Sequence, residues 1–301
     1  MSKFTKLINN PILFFNDALI NRKNKSNLII KNLKSKSDTV SANKKIDVPS
    51  LNYNLSSIKL NLVVVDFMEN YEFKSTIIKY QCRTIEKYTD FDNVYYISEK
   101  LTTSRKDYKV FKSYQSFYDG IISKISPKRE FFIFVDLNFF FLKRVKISDF
   151  INPLGVPYTY IIKSLNKKQS VDEMLKNILP GVDFNFSSIT NYCCVDNGKL
   201  IHYHEVYKRS KDISFYLYDF LPIANSVFSK ELIKSTPIQY ANLNGGYMEK
   251  FIWIKSVHGS KRCPLAVTFN HAIKSKADLE GFLVDIVPHK SKLEKDLIFR
   301  K

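Results

Sequence analysis

Residues Phe131 to Phe150 read FFIFVDLNFFFLKRVKISDF. With Glu130 in front, the stretch to Asp136 is a short, continuous apolar run that ends in a carboxylate, the pattern of a strand buried on both faces of a parallel sheet. Ile58-Lys-Leu-Asn-Leu-Val-Val-Val-Asp66 repeats the pattern upstream, and Asn93 to Ser98 (NVYYIS) reads as a further strand. Phe73 to Tyr88 places Phe73, Ile77, Ile78, Tyr80 and Ile85 at roughly helical spacing, and Tyr108 to Ile125 also reads as helix. The alternation of strands and helices predicts an α/β fold, an open mixed sheet flanked by helices. Ligands of such sheets bind at the carboxyl ends of the strands, where Asp66 and Asp136 both fall.

Composition sets the outer bounds. The 301 residues are 45% hydrophobic and 14% aromatic, enough apolar material for a core and too much for a disordered chain. Only 8 glycines exclude glycine-rich repeat architectures. Neither G-x-G-x-x-G, G-x-x-x-x-G-K-[ST] nor G-x-S-x-G occurs, which argues against Rossmann dinucleotide enzymes, P-loop kinases and elbow-type hydrolases. Cys82, Cys193, Cys194 and Cys263 form no C-x-x-C pair and read as free thiols of a reducing compartment. A membrane-spanning helix needs about 20 apolar residues. Phe131 to Leu142 is shorter and carries Asp136 and Asn138, and the patch Pro11 to Phe15 is too short for a signal-peptide core. The expectation is a cytoplasmic protein.

Residues 1–50 form a basic leader and linker ahead of a domain at 51–301. The leader holds ten Lys/Arg against three Asp, with Phe4, Leu7 and Ile8, then Phe14, Phe15, Ala18 and Leu19, at helical spacing. Such a helical piece can lie on an anionic bilayer, each cation contributing about 1 kcal/mol. The plainer reading is a helix packed on the domain followed by a solvated tether. The net charge of +18 also suits nucleic acid, but the basic residues are scattered and no helix–turn–helix, zinc or RNA-recognition signature occurs. No nucleic-acid partner is expected.

Asp136 and Asn138 point the same way along an extended chain, so two oxygen-bearing side chains can meet one hard cation that bridges a diphosphate. This resembles the D-x-D region of nucleotide-sugar glycosyltransferases with a GT-A fold, particularly the family 8 pattern of apolar strand, D-x-D, apolar run and acid-containing turn. Asn138 stands in for the second acid, which lowers the metal affinity expected. Leu60 to Tyr71 resembles the opening strand and turn that hold the nucleotide base, with Asp66 and Tyr71 in the matching places. Asn191-Tyr-Cys-Cys-Val-Asp-Asn197 is similar to the strand that begins with an Asn near the acceptor sugar, without the usual Gly. Tyr216 to Phe228 resembles the acidic catalytic-region segment, with Asp219 out of register. Phe269-Asn-His271-Ala-Ile-Lys274 is similar to the late His of the metal site and the Lys that reaches phosphate, and the family's Lys-Pro-Trp ending is absent. The spacing of Lys6, Leu7, Pro11, Phe14, Phe15 and Asp17 looks like leaders found before glycosyltransferase domains of bacterial capsule and lipopolysaccharide assembly.

The resemblance implies transfer of a sugar from a nucleoside-diphosphate donor to a hydroxyl of a surface glycan or lipid-linked acceptor, by a protein peripheral on the inner membrane. It implies Asp136, Asp219 and Asn191 in the catalytic region. Asp66, Tyr71 and Lys274 fall on the nucleotide, and Asp136, Asn138 and His271 on Mn²⁺ or Mg²⁺. Apart from the resemblance, the Lys/Arg excess reads mainly as solvated surface, with Arg105, Lys106 and Lys109 available to face the diphosphate of a nucleotide. Two alternatives stand beside it: a non-catalytic relative that binds glycan or scaffolds an assembly, and a basic nucleic-acid-binding protein. His202 and His204 alternate along LIHYHEVY, read as a strand, and would share a face. A zinc site there lacks a third ligand.

Overall fold

The computed structural model describes residues 58–67, 73–103, 108–125, 130–152, 155–158, 161–163, 186–188, 192–222, 224, 240–243, 248–269, 276–295 and 297–299. Strand β1 (Lys59–Val65) leads into helix α1 (Lys74–Tyr88), and β2 (Asn93–Ile97) returns parallel to β1. After the short β3 (Leu101–Thr103), β4 (Tyr108–Phe111) pairs in parallel with the outer side of β2. Helix α2 (Tyr114–Gly120) then carries the chain back to β5 (Glu130–Asp136), which pairs in parallel with the opposite side of β1. Next come β6 (Phe139–Phe141), the antiparallel pair β7 (Ile161–Lys163) and β8 (Phe186–Ser188), and β9 (Tyr192–Asp196), antiparallel to β5. The central sheet thus has the order β4-β2-β1-β5-β9 and is mainly parallel, as expected of an open mixed sheet.

Two expectations are corrected. The segment from Tyr108 begins as a strand and becomes helical only at Tyr114. Its first four residues complete the open edge of β2, and Ser113 then caps α2, accepting from the Ser116 N–H (3.2 Å) while its own N–H donates to Ser116 Oγ (3.1 Å). The LIHYHEVY segment is not a strand. Helix α3 (Asn197–His202) and helix α4 (His204–Ser210) meet at Tyr203, which leaves His202 exposed and His204 buried.

Alternation along the central strands builds two cores. Leu62, Val64, Ile133 and Val135 face one side with α1, β6 and the C-terminal helices. Val63, Val65, Phe132 and Phe134 face the other with α2, α3, α4 and the π-helical turn Phe215–Phe220. Burial on both faces explains why these strands are continuously apolar. A second sheet pairs β10 (Tyr240–Leu243) in parallel with β11 (Ala266–Phe269), which is antiparallel to β6; helix α5 (Met248–Val257) lies between β10 and β11 in the chain order. Helix α6 (Lys276–Ile286) and strand β12 (Leu297–Phe299), paired with β3, complete the described chain. Arg83 of α1 ties down the C-terminal segment, donating to Glu294 and to the carbonyls of Val287 (3.2 Å) and Pro288 (3.4 Å). Burial opposes the charge on Glu294, but Arg83 and the Ser291 N–H outweigh it and hold the carboxyl below its usual range.

Gly281 interrupts α6, and a Cβ built there meets nothing within 4 Å. Replacing it with Ala removes the entropic cost of a helical glycine. Gly281→Ala should raise the stability by about 0.5–1 kcal/mol, read as a shift of the urea midpoint at unchanged slope.

Candidate functional site

The order of the central sheet decides where a ligand fits. The chain leaves β1 toward β2 and β4 and then crosses back to β5, so the direction of winding reverses between β1 and β5, the kind of place where ligands of open α/β sheets bind. Register places Phe111, Ile97, Val65 and Asp136 in one row across the carboxyl edge. The row is extended by one further bond per strand: Asp66 N–H to Ile97 O (2.9 Å), Ser98 N–H to Phe111 O (2.9 Å) and Leu137 N–H to Val65 O (3.0 Å). Asp66, Ser98 and Asp136 therefore stand on one edge.

A cleft of about 520 Å³ opens there, with Asp66, Lys74, Ser98, Lys112, Tyr114 and Tyr207 in its wall. Asp66 is not a bare carboxylate. Its Oδ2 accepts from Lys74 Nζ (2.6 Å) and Ser98 Oγ (2.8 Å), and both charged side chains are more than nine-tenths buried. Lys74 begins α1, where a cation opposes the helix dipole at a cost of about 0.3–1 kcal/mol. Its pairing with Asp66 offsets that cost and brings an ammonium to the cleft. Lys112 donates to the carbonyls of Glu99 (2.6 Å) and Leu101 (3.3 Å), adding positive charge on the β4 side. Burial pushes the Tyr114 hydroxyl well above its ordinary pKa, so it stays a neutral phenol.

Asp136 lies one strand over from the cleft wall, half-buried, and its backbone carbonyl accepts from Gln81 Nε2 of α1 (3.1 Å). The chain does not continue extended beyond it. Leu137 and Asn138 form a turn, and the phenylalanines that follow enter the second sheet as β6. Asn138 is buried; its amide nitrogen donates to the carbonyl of Phe269 on β11, and Gln81 Nε2 also reaches the Phe139 carbonyl (3.4 Å). The departure from D-x-D thus has a structural use, because an Asp at 138 has no N–H to give Phe269. The Asn138 Oδ1 is buried with no hydrogen-bond partner among the described residues. Carboxylate and amide oxygens are both hard-cation donors, but the turn at Leu137 and Asn138 ends the extended geometry expected to aim the two side chains at one ion. Among the described residues no three His, Cys, Asp or Glu side chains form a metal-holding group.

Asp219 is half-buried in the π-helical turn, next to Tyr218, whose ring meets Phe67 edge-on at 5.5 Å just past Asp66. Lys109 is exposed on the edge strand β4 and does not line the cleft; Lys112, three residues on, does. Tyr71, Arg105, Lys106, Asn191, His271 and Lys274 lie outside the described residues, as does the leader. Sequence reasoning missed Lys74, Ser98, Lys112, Tyr114 and Gln81. A lysine in the first turn of a helix, with no acid beside it, was the one available signal for Lys74.

Other chemistries find no support nearby. All four cysteines are buried and free, and burial pushes the Cys82 and Cys193 thiols up to about 12, which leaves no thiolate nucleophile. His204 is stacked on Tyr118 (ring centroids 3.4 Å apart), beside Tyr114 and Tyr207 of the cleft wall. Neither of its ring nitrogens has a hydrogen-bond partner among the described residues.

No protein-family model and no curated protein matches this sequence. Among solved structures the chain is similar to the galactosyltransferase LgtC in complex with donor and acceptor sugar analogues, at 8% identity and a TM-score of 0.35, over 77% of this chain and 98% of that one. It is also similar to the apo form of the glycosyltransferase GlyE of Streptococcus pneumoniae TIGR4, at 12% identity and a TM-score of 0.34, over 70% of this chain and 54% of that one.

Two outcomes follow from this geometry. Asn138→Asp should lower stability by about 1–3 kcal/mol, because it sets a carboxylate against a carbonyl in a buried turn, as measured by denaturant unfolding at neutral pH. Burial, with Lys208 nearby, holds His204 below its usual pKa of 6.5. The unfolded chain then binds the proton more readily, so this contribution is complete above about pH 6.5 and is lost as the pH falls through the folded-state value. His204→Phe should raise the stability at pH 7 and flatten this part of the acid limb in thermal melts, leaving the separate contribution of His258, whose pKa burial and Lys87 also lower.

Proposed function

We propose that this chain is a nucleotide-sugar-dependent glycosyltransferase of GT-A type that moves a sugar from a nucleoside diphosphate to a hydroxyl of a surface glycan, of capsule or lipopolysaccharide. The observation that carries the reading is the cleft over the carboxyl ends of β1, β2 and β4, with Asp66 and Lys74 in its wall and Asp136 in the same edge row. In the reaction the acceptor oxygen forms a bond to the anomeric carbon. The bond to the diphosphate breaks with its electron pair, so negative charge grows on the leaving group, and the proton of the acceptor hydroxyl passes to the leaving diphosphate oxygen or to solvent. Lys112 supplies positive charge along the cleft, that of Lys74 being balanced by Asp66, and Tyr207 offers aromatic surface for a nucleobase. Asp136 would hold a divalent cation, which when bound supplies Lewis-acid stabilisation of the diphosphate. Asp66, paired with Lys74, positions the nucleoside side of the cleft, and Asp219 approaches from the π-helical turn. Asn191, His271, Lys274 and Tyr71 keep the roles that the sequence resemblance implies, and Arg105 the part in diphosphate binding read from the basic excess.

A second reading has its own observation. Both the carboxylate of Asp66 and the amide nitrogen of Asn138 are taken up in internal bonds, as suits a non-catalytic relative that binds glycan. Thermal-shift and calorimetric titration with UDP-, GDP- and CMP-sugars, with and without Mn²⁺, separates the two, since a ligand of the native state raises the melting temperature. Binding of one nucleotide sugar and transfer to a hydroxyl acceptor is the expected result, and binding of none overturns the transferase. In the active case Asp136→Ala should cut transfer by about a hundredfold or more at an unchanged unfolding midpoint. Full activity in that variant would remove Asp136 from the site.

A further inference from the structure

Four large apolar side chains are exposed among the described residues, and three of them lie on α5 and α6: Ile252 at 64%, Trp253 at 49% and Val284 at 41%. Helical spacing turns α5 two ways. Phe251 and Ile254 go inward, Phe251 packing on Phe269 and Phe282, while Ile252, Trp253 and Ser256 go outward. The two helices are joined at this surface by Lys255, which donates to the Gly281 carbonyl (2.7 Å) and to Asp285. Ile252 is one turn before Lys255, and Val284 is next to Asp285, so the apolar residues flank a bridge whose own charges cancel. The exposed turn that follows α5 carries Lys261 and Arg262, and Lys143 reaches the Cys263 carbonyl (2.9 Å) from the opposite strand segment. The C-terminal end of α5 therefore leads into a basic, exposed turn.

We infer that the outer face of α5, centred on Ile252 and Trp253, docks this protein on an anionic lipid bilayer. Ile252 and Trp253 are neighbouring exposed positions on the outer face of this helix. Its indole and isoleucine match the boundary between headgroups and acyl chains, where Trp is favoured, and the adjoining Lys261 and Arg262 match anionic headgroups. The chain's own leader is a poor occupant, since its ten Lys/Arg against three Asp would meet the basic turn with like charge. Docking here is independent of the transferase reading and of the nucleotide cleft, and it is a different contact from one made through the N-terminus. Among the described residues no helix is long and apolar enough to cross a membrane, so the contact is a surface one.

Trp253 is the only tryptophan of the chain, which makes its emission a private reporter of this face. The full chain is mixed with vesicles of phosphatidylcholine alone and of phosphatidylcholine with phosphatidylglycerol. The expected result is a blue shift of the emission and quenching by brominated acyl chains with the anionic vesicles only, weakened by salt. The double variant Lys261→Glu/Arg262→Glu and the variant Ile252→Asp should each weaken vesicle binding at least tenfold, with unfolding midpoints near that of the parent chain. Co-sedimentation with an unshifted, iodide-accessible Trp253 places the membrane contact elsewhere and overturns the proposal. An indole shielded from iodide before any lipid is added means that the leader or a second copy covers the face, and this also overturns it. So does the absence of any vesicle binding.

Discussion

Seven register pairs, from Lys59 opposite Glu130 to Val65 opposite Asp136, fix β1 against β5. The position of every acid at the carboxyl edge follows from that alignment. It is secured at the other edge by a buried polar clamp: Asn61 accepts from Asn93 Nδ2 (2.8 Å) and donates toward Glu130 (3.4 Å), while Asp92 bonds the Leu60 N–H (2.8 Å). A slip of one residue would exchange the two faces of β5 and send Phe132 and Phe134 into the wrong core. It would also carry Asp136 to the opposite side of the sheet. The site is therefore held by the same packing that holds the fold.

The turn after Asp136 is a second constraint. One apolar run is divided between two sheets there, and Gln81 from α1 and Asn138 onto β11 hold the division in place. Each bond contributes about 1 kcal/mol net, but a buried donor or acceptor left without its partner costs more, so the turn has little freedom. The carboxylate that precedes it is consequently presented from a rigid support. The cleft wall is built by the same economy of charge, with Lys74 and Asp66 buried against one another rather than separately.

Much of this was legible because strands buried on both faces announce themselves. The apolar runs ending at Asp66 and Asp136, and the spacing of Ile77, Ile78 and Ile85, matched β1, β5 and α1 closely. Short edge elements were not legible in the same way. Tyr108 to Phe111 is a strand only because β2 offers it an open edge, and His202 and His204 fall on separate helices because the chain breaks at Tyr203. Asn138 read as a weakened ligand, since nothing nearby in the sequence reveals a carbonyl 131 residues away that needs its N–H.

The sequence by itself determined the α/β class, the two acid-tipped strands and the lack of a glycine-rich phosphate loop, because these depend on local periodicity and on residue type. Only tertiary structure decided that Asp66 is paired with Lys74, that Lys112 rather than Lys109 reaches the cleft, and that Trp253 faces outward. Those outcomes rest on which distant segments pack together, and contacts of that kind leave no periodic trace along the chain.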